Sequence, residues 1–363
     1  MVGIESRVWE VYSGLKIGLT DVRIIGIYGT GGIGKTTIAR VVYDSFSNQF
    51  EASSFLHDVR ETCERQGLVY LQKKLLSDIL MERNINVGDE NEGLQFIKHR
   101  LCNKKVLLVL DDVNDFKQLE SLVGEYSWNG PKNSWFGPGS RIIITTRDRE
   151  SIIELGRPEI YSPAEMSNEE ALRLFSSTCF GSEHTPEGYE EMSNDVVSYA
   201  HGLPLAIKIL GSHLVGRSIP EWKSCLDGLE NNIPPELLQV LQISFDGLER
   251  YEKETFLHVA CFFNGEDINR VANALDSLFP YTHYVLAKLE NKSILNLSLD
   301  RKVWVLHPLV QQMGREVVCR ECPEWPSRRS RLWLPEDIDA VLTENIVSNY
   351  VEIFNLNIDP FYY

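Results

Sequence analysis

The chain has 363 residues, of which 43% are hydrophobic and 24% are charged. This composition is that of an ordinary globular protein, and the length is too great for one compact core, so two or three domains are expected. Acidic residues outnumber basic ones by 52 to 36, and the resulting net charge of −16 argues against nucleic acid or an anionic membrane as the main partner.

The sequence indicates no membrane span and no secretory signal. No long uninterrupted apolar stretch occurs, and residues 1–7 do not have the pattern of a signal peptide, so we expect a location in the cytosol or the nucleus. Seven scattered cysteines fit reduced thiols. Cys319 and Cys322 have the spacing of half a zinc site, but no second pair or histidine cluster lies nearby, which favours buried or idle thiols.

Residues 24–40 predict a strand, a phosphate-binding loop and a helix. Glycines let successive backbone N–H groups point inward, and the helix adds the positive end of its dipole, which suits the β- and γ-phosphates of a nucleotide. Lys35 would bring a mobile positive charge to the phosphates, and the Thr36 hydroxyl is placed to ligate Mg²⁺. The loop and the start of its helix comprise Gly29, Thr30, Gly31, Gly32, Ile33, Gly34, Lys35, Thr36 and Thr37.

The same glycines also match the dinucleotide-binding fingerprint. That fold requires an acidic residue at the end of the second strand. Glu51 has the right distance in sequence, but it precedes the next predicted strand, residues 53–56, instead of ending it. Lys35 and Thr36 would also have no role in such a fold, so the pattern favours a nucleotide triphosphatase loop.

Two helices are predicted next, at residues 70–82 and 94–101, followed by a strand at residues 105–110. The strand is continuously apolar, as a strand buried on both faces is, and it ends in Asp111 and Asp112. At that edge of an open sheet, Asp111 could hold Mg²⁺ through water and Asp112 could orient or deprotonate the attacking water. An acid pair that merely begins a loop is the alternative.

A further buried strand is predicted within residues 139–147, ending in a threonine pair and Arg147. The guanidinium of Arg147 matches the geometry of phosphate oxygens, although a surface ion pair explains it equally well. Before this strand, residues 127–131 are echoed by residues 134–138, and their turn-forming composition predicts a mobile surface loop. Residues 2–20, which precede the first strand, show no function by their chemistry alone, and a solvated leader is the default expectation for them.

The second half of the chain is predicted to be mainly helical. Helices are expected at residues 168–180, 189–200 and 206–214, with Gly202 stopping one helix and Pro204 beginning the next. A second helical part spans residues 235–280, followed by a helix at residues 285–290 and a hairpin at residues 293–305. Helices followed by a hairpin predict a winged-helix-like part, and the acidic balance favours packing over DNA binding.

These motifs together resemble the nucleotide-binding region of plant disease-resistance receptors, the NB-ARC module, and most closely the class that carries an N-terminal TIR domain. The resemblance covers about residues 2–345. It depends on residues 2–7, 29–37, 105–113, 139–148, 161–180, 202–205, 256–267 and 306–318.

The resemblance implies an α/β P-loop NTPase domain, with a parallel five-stranded sheet and flanking helices, followed by a helical ARC subdomain and a winged-helix subdomain. The expected division is 1–158 for the nucleotide-binding domain, 159–234 for the helical subdomain, 235–325 for the winged helix, and 326–363 for a linker toward leucine-rich repeats. The sequence itself contains neither TIR domain nor leucine-rich repeats, so pathogen recognition and TIR chemistry are expected outside these residues.

The resemblance also implies the site. Val2 and Arg7 would lie near the adenine, Pro204 would contact it, Arg147 would sense the γ-phosphate, and His307 would reach the β-phosphate of ADP and lock a closed form. Asp112 is expected to be catalytic, and Thr36 and Asp111 to bind Mg²⁺. The expected nucleotide-binding residues are Val2, Arg7, Gly29, Gly31, Gly32, Ile33, Gly34, Lys35, Thr36, Thr37, Arg147, Pro204, Leu205 and His307.

One departure from the family lies beside His307. The family has an aspartate where this chain has Pro308. Proline suits the first position of a helix, so residues 309–319 should remain helical, but a carboxylate that could orient the histidine is missing. A weaker closed ADP state is therefore expected.

Three functions follow from these observations. The first is an ADP/ATP switch of a plant immune receptor with slow ATP hydrolysis, whose partners are other receptor domains or chains, such as TIR and leucine-rich repeat domains, or further copies of itself on activation. The second is a P-loop ATPase or kinase with substantial turnover, for which no acceptor-substrate motif is visible. The third is a winged-helix DNA-binding regulator, which the net charge argues against.

Overall fold

The computed structural model describes residues 2–82, 84–124, 135–156, 158–229, 232–279, 281–298, 304–343 and 353–354. Two compact units make up the chain. The first comprises Met1–Ser177 and Gly202–Leu205, and the second comprises Thr178–His201 and Ala206–Tyr363.

The first unit contains a parallel sheet of five strands. Its strands are β1 (Arg23–Tyr28), β2 (Ala52–Leu56), β3 (Val106–Val113), β4 (Arg141–Thr146) and β5 (Glu159–Tyr161). The order across the sheet is β2-β3-β4-β1-β5, and each neighbouring pair is parallel. Since the carboxyl ends of parallel strands share one edge, the residues that follow β1, β3 and β4 lie side by side.

Helices flank this sheet. They are α1 (Ile4–Leu15), α2 (Lys35–Phe46), α3 (Val59–Gln66), α4 (Leu68–Leu80), α5 (Glu90–Leu101), α6 (Phe116–Val123), α7 (Arg149–Ile153) and α8 (Asn168–Phe180), the last of which continues into the second unit. Alternate residues of β3 enter two different apolar clusters, Leu107 and Val109 in one and Leu108 and Leu110 in the other. The sheet is therefore buried on both faces, and the predicted α/β P-loop NTPase class is confirmed.

Two predictions for this unit are wrong. Residues 4–15 form a helix with buried Val11 and Leu15, not a solvated leader. The apolar spacing of Ile4, Val8, Val11 and Leu15 was the signal for it. Residues 135–137 of the second copy of the duplicated loop are buried and not on the surface, because Trp135 and Phe136 pack into the core. The first copy, residues 127–131, lies outside the described residues.

Arg141 ties the end of α1 to β4. Its fully buried guanidinium donates hydrogen bonds to five backbone carbonyls, a number that matches its five N–H donors. The Nη2 atom lies 2.8 Å from the carbonyl oxygen of Lys16 and 3.1 Å from that of Leu19. The other accepting carbonyls belong to Leu15, Asp21 and Ser140. The carbonyls left open at the end of α1 thus obtain donors from a residue of the sheet.

The second unit is mainly helical. Its helices are α9 (Glu190–Ala200), α10 (Pro204–Leu214, which starts in the first unit), α11 (Ile219–Leu229), α12 (Pro235–Asp246), α13 (Arg250–His258), α14 (Ile268–Asp276), α15 (Thr282–Asn291), α16 (Pro308–Glu321) and α17 (Pro335–Thr343), with a π-helical turn at Val259–Phe263. Two short sheets pair β6 (Asn296–Leu297) with β7 (Trp304–Val305), antiparallel, and β8 (Arg331–Leu332) with β9 (Ile353–Phe354), parallel. Among the described residues, no helix is long and apolar enough to span a bilayer.

The predicted junction between α9 and α10 is confirmed. His201 has a φ of 46° at the end of α9, Gly202 has a φ of 70°, and Pro204 begins α10. The order of helices and then an antiparallel pair, β6 and β7, also follows the prediction, while the predicted turn at residues 300–302 lies outside the described residues.

Residues 326–343, which were predicted to be part of a linker, are folded in the second unit. Arg329 donates to Asp337 of α17 over 3.0 Å, and Arg331, only 1% exposed, contacts Glu254 and His258 of α13. Arg331 therefore attaches this segment to α13, and Arg329 connects two parts of the segment itself. The four-part division of the chain stays a prediction.

Candidate functional site

The phosphate loop connects β1 to α2. Gly32 and Gly34 have φ angles of 86° and 99°, a conformation that suits glycine, and Gly34 directly precedes α2. Such a backbone directs N–H groups into the concave side of the loop, where the helix dipole adds its positive end. Gly29, Gly31, Gly32 and Ile33 lie in the loop, and Lys35, Thr36 and Thr37 form the first turn of α2.

Lys35 is the cation of this loop. Its side chain is 7% exposed, and Nζ donates hydrogen bonds to the carbonyl oxygens of Gly29 at 2.7 Å and Thr30 at 3.0 Å. Burial, followed by the nearby positive charge of Arg147, lowers the pKa of Lys35 to about 7. An anion beside Nζ would favour the charged form of this lysine, as a phosphate group does.

Thr36 and Asp111 form a pair of oxygen ligands. The Thr36 hydroxyl donates to Asp111 Oδ1 over 2.8 Å, and Thr145 at the end of β4 donates to the same oxygen over 2.6 Å. Asp111 is 2% exposed, and burial raises the pKa of its carboxyl group, against the effect of these two hydrogen bonds.

This donor set fits Mg²⁺, which prefers oxygen ligands from one or two protein groups with phosphate and water completing the octahedron. No group of three His, Cys, Asp or Glu side chains placed to hold a metal exists within the described parts of the chain. A metal at Thr36 and Asp111 would therefore depend on oxygens from the nucleotide and from water.

Asp112 points away from this pair toward two arginines. Its backbone has a φ of 55°, its N–H donates to Thr145 Oγ1 over 2.9 Å, and the register of β3 against β4 shifts between Leu110 and Val113. Such an irregularity changes the direction of side chains at a strand end. Asp112 Oδ2 accepts from Nε and Nη2 of Arg60 over 3.0 and 2.9 Å, and Arg147 Nε lies 3.7 Å from Oδ1.

Arg147 follows β4 and lies over the phosphate loop. A Cβ atom added at Gly31 would be 2.6 Å from Arg147 Nη1, so glycine at this position leaves room for the guanidinium. The side chain is 20% exposed and its charge faces Asp112. Two roles were predicted for Arg147, a phosphate contact and an ion pair. The ion pair with Asp112 thus lies at the same place as the proposed phosphate contact, over the phosphate loop.

Pro204 and Leu205 belong to the same unit as the loop. The Leu205 N–H donates to the Gly32 carbonyl over 3.2 Å, and a Cβ added at Gly32 would lie 2.9 Å from Leu205 Cβ. The first turn of α10 therefore packs on the phosphate loop, which brings these predicted residues to the candidate site.

Arg7 is occupied by protein oxygens. It donates to Glu170 Oε1 over 3.0 Å, to Glu165 O over 3.1 Å, and to carbonyls of Ala164 and Gly3. Val2 lies in the turn that precedes α1. Arg7 thus links the start of the chain to the segment before α8 and to α8 itself, and the adenine contacts expected of Val2 and Arg7 stay predictions.

His307 lies in the second unit, at the residue before α16. Its Nδ1 accepts from the Leu309 N–H over 3.2 Å, so the neutral ring carries its proton on Nε2, which lies 3.3 Å from the His201 carbonyl oxygen. Burial lowers the pKa of His307 to about 4, against the raising effect of the hydrogen bond with the His201 carbonyl. The expectation that Pro308 begins the helix is confirmed.

Two residues of the site were not identified from the sequence. Thr145 joins the Asp111 side chain to the Asp112 main chain, and the polar end of an otherwise apolar strand was a signal for it. Arg60 lies 52 positions from Asp112 in sequence, and no local pattern indicates that the two pair.

The sheet order, the loop and the acid pair define a P-loop NTPase fold. The fold is similar to that of the Walker-type ATPase PABY2304 of Pyrococcus abyssi, with a TM-score of 0.57 and 12% sequence identity over 87% of this chain and 96% of that one. At this level of identity the likeness concerns the fold alone.

Comparison with models of protein families identifies the family to which this fold belongs. The NB-ARC domain model matches residues 5–185, and the model of the winged-helix domain of Roq1-like disease resistance proteins matches residues 249–322. The chain belongs to the NB-ARC family of plant disease-resistance proteins, and the resemblance stated from the motifs is confirmed. Nucleotide binding follows from this family and fold.

Curated relatives agree with this assignment. The chain is 41% identical over 359 residues to the disease resistance protein RUN1 of Vitis rotundifolia and 40% identical over 352 residues to the TMV resistance protein N of Nicotiana glutinosa. These alignments cover 99% and 95% of this chain but 26% and 30% of the two relatives. The chain thus spans roughly a quarter to a third of the length of the relatives it matches.

Proposed function

We propose that this chain is the ADP/ATP-operated switch of a plant immune receptor, with slow ATP hydrolysis. The observation that carries the proposal is the meeting of Lys35, Thr36, Asp111, Asp112 and Arg147 at the adjacent ends of three parallel strands. These side chains supply a cation for phosphates, oxygen ligands for Mg²⁺, a carboxylate for water and a second cation for the terminal phosphate.

Each side chain has one task in this proposal. The loop N–H groups and Lys35 bind the β- and γ-phosphates, and Thr36 and Asp111 hold Mg²⁺, which would neutralise charge on the phosphate oxygens. Asp112 orients the attacking water, and Arg147 contacts the γ-phosphate. Pro204 and Leu205, with Val2 and Arg7, form the nucleoside side of the site, as the family resemblance implies.

A switch requires different contacts in its two states. Arg147 distinguishes ATP from ADP because only ATP has a γ-phosphate. His307 is proposed to contact the β-phosphate of ADP in the closed form, in which its neutral ring donates through Nε2. Pro308 leaves this histidine without the neighbouring carboxylate of the family, which weakens the closed form.

The proposal also includes the partners of the switch and its cellular location. The switch acts on other immune-receptor domains or chains, such as TIR and leucine-rich repeat domains, and on further copies of itself after activation, in the cytosol or the nucleus. The four-part division at residues 158, 234 and 325 is proposed with it. The net charge of −16 supports a winged helix that packs against protein instead of DNA.

Two measurements test this function against its alternative. The nucleotide that co-purifies with the protein should be ADP, identified by chromatography after denaturation. Phosphate release should be slow under multiple turnover, whereas a P-loop ATPase or kinase would release product steadily at 1–100 per second, roughly the range of kinases. Steady turnover at such rates, with no retained nucleotide, would contradict a switch.

Removing the Lys35 charge should abolish nucleotide retention. Lys35→Ala is expected to weaken ADP binding about 100-fold and to remove the increase in melting temperature that bound nucleotide gives. The measurement is nucleotide content after purification, with calorimetric titration of ADP. Lys105→Ala is the control, since Lys105 lies at the other end of β3 and bonds the carbonyl of Gln49. Equal nucleotide content in the Lys35 variant and the parent would refute the assignment.

Asp112 should affect the rate of ATP hydrolysis but not the affinity for ADP. Asp112→Ala is expected to slow ATP hydrolysis about 100-fold, the usual size of a general-base contribution, while ADP affinity stays within about threefold. Single-turnover hydrolysis and ADP titration give the two quantities. A loss of ADP binding as large as that of Lys35→Ala would show that Asp112 acts on the resting ligand and not on water.

A further inference from the structure

We propose that Arg60 restrains ATP hydrolysis by occupying the carboxylate of Asp112, as a positioning residue that acts through this acid. The inference deepens the function proposed above and rests on it. Arg60 is the second residue of α3, directly after β2, and it reaches the end of the neighbouring strand β3.

Two nitrogen atoms of Arg60 contact the same carboxylate oxygen of Asp112. Arg60 Nε and Nη2 lie 3.0 and 2.9 Å from Asp112 Oδ2. A carboxylate oxygen offers two lone pairs, so this pair takes the accepting capacity of Oδ2. Arg60 is 25% exposed and Asp112 21%, which places the pair between a surface contact and a buried one.

The rest of Asp112 is held as well. The N–H of Asp112 bonds Thr145, its φ of 55° belongs to a conformation that few non-glycine residues adopt, and Oδ1 faces Arg147 at 3.7 Å. A water that Asp112 orients must donate to one of its oxygens. At Oδ2 the guanidinium of Arg60 and this water therefore compete for the same lone pairs, and at Oδ1 the water would meet the guanidinium of Arg147.

The competition between Arg60 and the water affects one step, the attack of this water on the γ-phosphorus of ATP. The water oxygen forms a bond to the γ-phosphorus, the bond from that phosphorus to the β–γ bridging oxygen breaks, and its electron pair stays on ADP. One water proton passes to the Asp112 carboxylate and then to the released phosphate. While Arg60 donates twice to Oδ2, that oxygen has no lone pair free for the water. A switch benefits because a slow step prolongs the ATP-bound state.

Four variants test the inference: Arg60→Ala, Arg60→Lys, Asp112→Ala and the double variant Arg60→Ala with Asp112→Ala. We expect Arg60→Ala to raise the single-turnover rate about fivefold at saturating ATP, the size of a partly exposed ion pair, without changing ATP affinity. Arg60→Lys keeps a charge and should return the rate toward that of the parent. On the Asp112→Ala background, removing Arg60 should not raise the rate.

A second readout does not depend on hydrolysis. In nucleotide-free protein, Arg60→Ala should lower the melting temperature, and the same substitution on the Asp112→Ala background should lower it less, because the ion pair is already lost. Arg65→Ala is the matched control. Arg65 lies on the same helix, is 72% exposed and pairs with Glu61 four positions before it, so both readouts should stay as in the parent.

The outcomes separate the two proposals. A rate in Arg60→Ala equal to or below that of the parent, or a rise that persists without Asp112, overturns the restraint alone, provided that the parent retains ADP and Asp112→Ala is slow. If the parent retains no nucleotide, or if Asp112→Ala hydrolyses ATP like the parent, the proposed function fails, and the restraint fails with it.

Discussion

Replacing Arg141 with methionine is expected to lower the free energy of unfolding of the first unit by about 3–5 kcal/mol. The carbonyls of Lys16 and Ser140 keep backbone donors, and the other three lose this donor at a cost near the lower end of about 1–3 kcal/mol each. Arg141 is fully buried and serves five carbonyls at the end of α1 and the start of the sheet. Methionine fills much of the same volume but supplies no donor. The loss should appear as faster hydrogen exchange in α1, β1 and β4.

Two variants sharpen this experiment. Arg23 stands opposite Arg141 in the register of β1 and β4, but it is 27% exposed and pairs with Asp21 at the surface. Arg23→Ala should therefore cost less than about 1 kcal/mol. Arg141→Lys keeps a charge with fewer donors and should fall between the two. An Arg141→Met protein within about 1 kcal/mol of the parent would mean that water replaces the guanidinium at these carbonyls.

The second large effect is a loss of stability of the second unit in mild acid. Two buried histidines of this unit, His258 and His307, have their pKa values lowered to about 4. Burial is the main cause for both, and the Arg331 guanidinium, whose Nε and Nη2 lie 3.2 and 3.0 Å from His258 Nδ1, is the second cause for His258.

The direction follows from the protons bound in each state. In the unfolded chain these histidines titrate near pH 6.5, so between about pH 6.5 and pH 4 the unfolded state binds more protons than the folded one. Stability is then complete above pH 6.5 and falls as the pH drops through this window. For the two groups together the loss between pH 7 and pH 5 is about 3–4 kcal/mol.

The measurement is hydrogen exchange in α13 and α16 at several pH values, corrected for the intrinsic rate of each amide. His307→Asn should reduce the pH dependence by about half, because asparagine can cap a helix without titrating in this range. His283→Asn, at an exposed position beside Tyr284, is the control and should leave the pH dependence unchanged. Equal slopes in the His307 variant and the parent would show that the ring is not held neutral.

Patterns that are local in sequence predicted most of the fold. The apolar runs before the phosphate loop, before Asp111 and before Arg147 became β1, β3 and β4, because a strand buried on both faces needs an apolar residue at every position. Gly202 and Pro204 likewise marked the junction before α10, since each acts on its own backbone. The predicted parts of the site, Lys35, Thr36 and Asp111, lie at such ends.

The features that were not predicted depend on contacts between side chains and residues that are far apart in sequence. Arg60 and Asp112 are 52 positions apart, and Arg141 lies 126 positions from the Leu15 carbonyl that it bonds. The sequence alone does not indicate whether an arginine is solvated, paired or buried. Its partner is determined only by the folded structure. Arg331, which pairs with Glu254 77 positions before it, is a third case, and the fold of residues 326–343 was missed for the same reason.

The arrangement of the site bears on how far sequences of this fold can diverge. Its polar groups follow the ends of β1, β3 and β4, whereas the bodies of these strands need only apolar side chains of suitable volume. Substitutions among Val, Ile and Leu can therefore accumulate along the strands for long evolutionary times without displacing a single ligand-binding group. The Walker-type ATPase of Pyrococcus abyssi has a similar fold at only 12% identity, as expected where the strands need apolar volume and not particular residues.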